Sequence, residues 1–459
     1  MPSEFSTDQI NYLIERDAEV LLHPVASIEA LLQQGPTMTV SGEGSLVVDA
    51  AGHTLLDAVG GLWCVNAGYR RRELSQAMAD ASQKLAYYHT FGNATNPWQV
   101  ALADRLLAIA PPTLGKVFFG SGGSDANDSL IKIAWHYHAI RGDNERVKII
   151  ARDQAYHGTS IATASLTGLP SFHRGFPLPL NFVRRVSCPH YYLFGLQGET
   201  EEDYCDRLVV ELETMIIREG PETIAAFIAE PIMGAGGVID PPVNYFPKVQ
   251  AVLKKYGILM IADEVVCGFG RTGSWFASTQ MGIEPDMMAT AKGLTSGYFP
   301  MSAAFISNAI WQTLREGAGE FGGFYHGYTY SGHPTGAAVA LANIDILESE
   351  CLVDNARDVG DYLHKKLRDD ILCHPHVGEI RGRGLLAGIQ LVVDKDTKTF
   401  PVIADKWPAQ VSSRARELGV IVRPLATVGS IAISPPLIFT RDDVDTLVNA
   451  VMQSLEVLS

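Results

Sequence analysis

Residues 289–298 read ATAKGLTSGY, and one lysine, Lys292, stands there among small and apolar neighbours with Gly293 directly after it. Lysine is rarely enclosed by apolar surface without a partner or a task. Enclosure disfavours the ammonium form, and holding the amine neutral near pH 7 lowers its pKa by about 3 units, a cost of roughly 4 kcal/mol. A neutral enclosed amine condenses with aldehydes and takes protons. Asp263 in IADEV closes an apolar run, where a carboxylate is costly unless paired. Glu230 in AEP closes another. SGGSDAND (121–128) sets Gly122, Gly123 and Ser124 ahead of a helical stretch. Close-approaching amides, a helix N-terminus and a hydroxyl make a phosphate cradle, although a plain turn with Ser124 as N-cap uses the same residues. In AYHG (155–158), Tyr156 either covers a flat ring or simply packs, and His157 lies beside it.

These residues need a scaffold that brings them to one place. Short apolar or β-branched runs read as buried parallel strands: 116–120, 147–151, 223–229, 257–262, 287–290 and 302–307. Helical spacing fills 125–141 and 243–256 between them. Alternation of this kind predicts an α/β domain with a mostly parallel sheet flanked by helices over 75–328. Each reactive residue named above then follows the carboxyl end of a strand, where open α/β sheets bind ligands. Residues 37–58 read as a small antiparallel hairpin sheet. Helices at 334–350 and 353–373 precede strands in 379–392 and 420–425. The ends, 1–74 and 329–459, are expected to form together one smaller α+β domain, with a ligand cleft between the lobes.

Bulk properties narrow the function classes. The chain has 459 residues, 47% hydrophobic and 19% charged, with a formal net charge of −15. An acidic surface disfavours nucleic acid and anionic membrane as partners. No secretory leader is visible and no apolar run approaches the roughly 18 residues of a membrane span, so a cytoplasmic protein is expected. The six cysteines form no CxxC pair and read as reduced, mostly buried thiols. Cys373, His374 and His376 fit no usual zinc spacing, so no metal is expected. GFGRTG (268–273) matches the dinucleotide fingerprint literally, but DEVVC separates it from the preceding strand and no long helix follows.

A nucleophilic lysine, a phosphate cradle, a carboxylate for a pyridinium nitrogen and an aromatic to cover the ring together describe a pyridoxal 5'-phosphate (PLP) site. GLWCVNAGY (61–69), FFGSGGSDAND (118–128), AEPIMGAGGVI (229–239), IADEVVCGFGRTG (261–273), ATAKGLTSGY and YTYSGHP (328–334) resemble class III PLP-dependent aminotransferases, and within them the ω-amino acid and amine:pyruvate branch. The resemblance spans nearly the whole chain and implies the fold type I PLP-transferase architecture. It implies Lys292 as the Schiff-base lysine, Asp263 facing the pyridine nitrogen and Tyr156 stacked on the ring. It places Gly122, Gly123 and Ser124 at the phosphate, and His157, Val265 and Glu230 around the cofactor. Trp63 would line the substrate pocket. Arg423, on a loop near Glu230, would be the mobile arginine that meets a substrate carboxylate. Thr329 would reach the phosphate of a partner subunit, since the family works as homodimers, or tetramers of dimers, with interface sites. Two departures stand out: Gly122 replaces a frequent serine, and Ala155 a frequent glycine.

The implied activity is transfer of an amino group from an amine or ω-amino acid to an α-keto acid, typically pyruvate, by a ping-pong route. Without the resemblance, Arg423 reads as a surface arginine at a strand end, and Trp63 as core as readily as pocket wall. Decarboxylase or aminomutase chemistry on the same scaffold is the competing expectation, and a nicotinamide oxidoreductase using GFGRTG a more distant one.

Overall fold

The computed structural model describes residues 5–458. Its central sheet has seven strands in the order Leu114–Gly120, Ser302–Ser307, Met287–Thr290, Leu259–Asp263, Ile224–Ala229, Lys148–Arg152 and Val183–Val186. Ser302–Ser307 runs antiparallel to both neighbours. The other adjacent pairs are parallel. Four central strands, Ile224–Ala229, Leu259–Asp263, Met287–Thr290 and Ser302–Ser307, are buried at every position. Helices on both faces require such unbroken apolar runs. All six strand runs expected from the sequence are present.

Two smaller sheets draw on both ends of the chain. Thr39–Glu43, Leu46–Asp49 and Thr54–Asp57 form the expected hairpins, and Val420–Ile421 adds in parallel to Thr54–Asp57. Val377–Arg383, Leu386–Leu391, Ser430–Ile433 and Arg423–Leu425 make the other, antiparallel throughout. The run 420–425 is therefore not one strand: it changes sheets at Val422. Arg423 accordingly heads a short edge strand rather than sitting on a loop.

Helix Pro334–Ser349 is apolar on nearly every side because it packs against both Arg72–Lys84 and Pro97–Ile109. Its one buried amide, Asn343, donates to the Gly293 and Leu294 carbonyls at 2.8 and 3.1 Å and accepts from Ser296 at 2.6 Å. This contact pins the turn that carries Lys292. Among the cysteines, 188, 205 and 267 are buried and Cys64 is half-buried. Cys351 and Cys373 are exposed, so the thiols are less enclosed than their spacing implied. Among the described residues no helix is long and apolar enough to cross a membrane.

GFGRTG serves packing. The strand before it ends at Asp263, and the next helix, Ala277–Gln280, has four residues. A Cβ on Gly273 would lie 2.9 Å from the Arg357 backbone. The fully buried Arg271 donates to the carbonyls of Leu385 and Pro435 and to Asn66, joining the central sheet to the smaller ones.

Two buried histidines make stability depend on pH. Burial lowers His138 and His364 from 6.5 to about 4. The unfolded chain takes up these protons near pH 6.5, whereas the folded chain resists until about 4. Their contribution is therefore complete above pH 6.5 and is lost as pH falls toward 4, up to about 3 kcal/mol for each. Buried Glu264, raised to about 7, acts in the opposite sense between 4.5 and 7 and offsets part of this. Thermal melts should fall across the histidine window, and His364→Leu should flatten that limb; an unchanged limb in the variant would contradict the assignment.

Candidate active site

The strand ends converge on one cavity of about 220 Å³. Asp263 ends its strand, and register pairs it with Ala289, so Lys292 emerges three residues further along the neighbouring strand. Glu230 follows Ala229, the register partner of Ala262, and so lies beside Asp263. Lys292 occupies a left-handed backbone conformation, φ 46°, in the turn Lys292–Leu294. That conformation is unfavourable for a residue with a Cβ and persists only where its surroundings enforce it. Asn343 does so from one side. From the other, a Cβ on Gly293 would stand 2.4 Å from Asn66 Nδ2, so only glycine fits after the lysine.

The Lys292 amine is half-buried, and burial pulls its pKa below the usual lysine range. Cys64, Asp263 and Glu230 oppose that shift, while Arg423 adds to it. Its Nζ lies 5.6 Å from the Trp63 ring centroid, and the Arg423 guanidinium lies 5.5 Å from the same ring. Trp63 is buried, with φ 60°. Both Trp63 and Arg423 line the cavity.

Asp263 is 3% exposed and is gripped from three directions. Oδ2 accepts from Asn127 Nδ2 at 2.7 Å and pairs with His157 Nδ1 at 2.8 Å; Oδ1 accepts the Val265 amide at 3.1 Å. Asn127 also donates to the His157 carbonyl at 2.9 Å, which closes the clamp. The carboxylate is thus held rigidly, with Oδ1 carrying a single donor. Sequence reasoning missed Asn127. Its signal is a polar residue on the helix face otherwise made of Ala126, Leu130, Ile131 and Ala134.

Helix Gly123–Ile140 begins at the cavity with Gly122 as N-cap, so Ser124 lies inside the first turn rather than at the cap. No side chain caps this end, which leaves amides directed at the cavity. Ser124 Oγ accepts the Thr159 amide at 3.1 Å. A Cβ on Gly123 would meet Val265 Cγ1 at 2.9 Å, and one on Gly158 would meet Ser124 Oγ at 2.5 Å, so this cradle excludes side chains. Gly122 has nothing within 4 Å of its Cβ position, so a serine would fit there, and packing does not account for the glycine.

Tyr156 is half-buried and meets Phe172 edge-on at 5.3 Å. Burial, then Asp263 and Glu230, raise its pKa and keep the phenol protonated. Glu230 accepts the Tyr156 amide at 2.9 Å and the Gly234 amide at 2.8 Å. It lines the same cavity as Arg423, but backbone amides rather than the guanidinium take its oxygens. Burial is the main force raising its pKa. Thr329 is exposed and does not line the cavity of its own chain; its carbonyl accepts from Tyr87 Oη at 2.8 Å. Lys292, Asp263, Gly123, Ser124, Tyr156, His157, Glu230, Val265, Trp63 and Arg423 all border the one cavity. Gly122 flanks it as the helix cap.

A family model for class-III aminotransferases matches residues 32–455. A diaminobutyrate–2-oxoglutarate transaminase of Halomonas elongata is 40% identical over 440 residues, covering 95% of this chain and 94% of that protein. A mitochondrial gamma-aminobutyrate transaminase of Oryza sativa subsp. indica is 42% identical over 421 residues, covering 90% and 80%. The solved omega transaminase from Pseudomonas jessenii in complex with PMP superposes with a TM-score of 0.94 at 42% identity, covering 97% of each chain.

Proposed function

This chain belongs to the class-III aminotransferases, and on that footing we propose that it uses PLP to move an amino group from an amine or ω-amino acid donor to an α-keto acid, pyruvate first. The observation that carries the reading is the convergence of Lys292, clamped Asp263 and the glycine cradle on one cavity. Glycines that tolerate no Cβ beside an uncapped helix end suit a phosphate. A buried carboxylate with one lightly used oxygen suits a protonated ring nitrogen. The P. jessenii complex with PMP supports the same cofactor. When bound, PLP supplies an aldehyde for the amine and a ring that accepts electrons from the donor carbon.

The chain's own residues do the rest. Lys292 Nζ, its pKa drawn down by burial, takes the proton from the donor carbon and would deliver it to the carbon that was the cofactor's aldehyde. Asp263 keeps the ring nitrogen charged. Tyr156 covers the ring, with its backbone fixed by Glu230. Ser124 and the amides at Gly122 and Gly123 hold the phosphate. Arg423 binds the carboxylate of the acceptor. It is the only guanidinium among the described residues that line the cavity, which favours an acid with one carboxylate over 2-oxoglutarate with two. Arg423→Ala should raise the KM for pyruvate and for amino acids roughly 10- to 100-fold and leave simple amines nearly unchanged. Equal damage to both classes would remove the role.

Thr329 is proposed to serve the phosphate of a second copy, in a homodimer or a tetramer of dimers. Its exposure beside Tyr330, 61% exposed, and Tyr325, 87% exposed, supports an interface there. The partition into 1–74 with 329–459 and 75–328, and a cytoplasmic setting, belong to the same proposal. A donor panel with pyruvate, scored by alanine formed and carbon dioxide released, tests the reaction class. Alanine without carbon dioxide is expected; carbon dioxide without alanine would favour a decarboxylase.

A further inference from the structure

The substrate end of the cavity is built on an unusual stretch of backbone. Between strand Thr54–Asp57 and Trp63, the chain turns through Gly60 at φ 60° and Gly61 at φ 65° and ψ −104°, and Trp63 itself has φ 60°. Nothing intrinsic to an indole-bearing residue favours that conformation. One carboxylate grips the turn from inside. Asp57 is 3% exposed, and its carboxylate accepts from the Val59 amide at 3.0 Å, the Gly61 amide at 2.7 Å and the Tyr69 hydroxyl at 2.6 Å. All three donors are neutral. Tyr69 is in turn locked to the hairpin by reciprocal backbone bonds with Gly44, at 2.8 and 3.1 Å. Its ring fills the space that a Cβ on Gly42 would enter at 2.9 Å.

Asp57 also touches the other wall. It is the register partner of Ile421 in the parallel pair that leads through Val422 to Arg423. The Ala58 amide donates to the Ile421 carbonyl at 3.1 Å. The two strands tied at Asp57 therefore deliver, a few residues on, the indole and the guanidinium that meet at 5.5 Å.

We propose that Asp57 is a positioning residue for carboxylate recognition: it holds the Gly60–Trp63 turn so that the Trp63 ring supports the Arg423 guanidinium. The inference rests on the reading of Arg423 as the acceptor's arginine. Asp57→Asn is the sharpest change, since it keeps the shape but turns one oxygen into a donor. On either side that amide faces a backbone N–H, of Val59 or of Gly61, which loses its acceptor. Tyr69→Phe removes one of the three bonds and disturbs packing least.

The test reads Trp63 directly in the enzyme without added substrate, as the difference in emission between each variant and its Trp63→Phe counterpart, together with steady-state kinetics. Asp57→Asn should shift the Trp63 signal and raise the KM for pyruvate roughly tenfold, while turnover of carboxylate-free amines in the donor half-reaction stays within about twofold. Tyr69→Phe should move both in the same direction by less, and it decides the matter if Asp57→Asn does not accumulate as folded protein. A Trp63 signal unchanged in a variant that merely melts earlier would overturn the proposal. So would equal loss for both substrate classes. A failure of the Arg423 reading appears elsewhere, as an Arg423→Ala variant that treats both substrate classes alike while the Asp57 variants still shift Trp63.

Discussion

Lys292→Ala is expected to abolish amino transfer, with a loss of roughly four to six orders of magnitude. On the proposed function the lysine has two tasks at one atom: Nζ would be the nucleophile for the cofactor's aldehyde and the base for the donor carbon. No other lysine lines the cavity among the described residues, so neither task has a substitute. The replacement should fold. Alanine meets the same backbone conformation at φ 46° that lysine already tolerates, and Asn343 holds the turn through main-chain carbonyls that the change leaves alone. The variant should melt near the parent and should lack the borohydride-sensitive visible band. A small exogenous amine should restore part of the proton transfer. Retained turnover with an amine and pyruvate would refute the assignment.

Asp263→Asn should cost nearly as much, on the order of 10³-fold in kcat. The amide preserves size but no longer opposes a charged ring nitrogen. Its geometry also fails. Oδ2 faces Asn127 and His157, and Oδ1 faces the Val265 amide, so the new NH2 meets a donor in either orientation. Both effects weaken the ring's capacity to take up charge from the donor carbon. The pH dependence of the visible band should change with kcat, because the ring nitrogen loses its anionic neighbour. A normal kcat in a variant shown by mass to carry asparagine would mean that Asp263 plays no electronic part. Asn127→Ala should reproduce a fraction of the loss, since it loosens the carboxylate without removing its charge.

The α/β sheet was legible because its four central strands are buried at every position and read as continuous apolar runs. Val183–Val186 was not, because VRRV carries two arginines into an edge strand where both are half-buried. The pairing of Thr54–Asp57 with Val420–Ile421 joins residues more than 360 positions apart, and no local pattern signals it. That pairing also explains why 420–425 reads as one strand and folds as two. In the site, Lys292, Asp263 and the cradle announce themselves as costly or permissive residues at strand ends. Asn127, Asn343 and Asp57 do not, because each acts through a partner distant in sequence or through its own main chain. GFGRTG shows the reverse: its glycines are demanded by packing, Gly268 against the Glu264 carbonyl, Gly270 against Leu437 and Gly273 against the Arg357 backbone, so its resemblance to a nucleotide loop carries no chemistry.

The most direct test is to load the purified chain with PLP, reduce it with borohydride and map the modified peptide by mass spectrometry. The stable pyridoxyl group should sit on Lys292, in the peptide containing ATAKGLTSGY, and should disappear in Lys292→Ala. A group fixed to any other lysine, or none after saturation with PLP, would contradict the central claim.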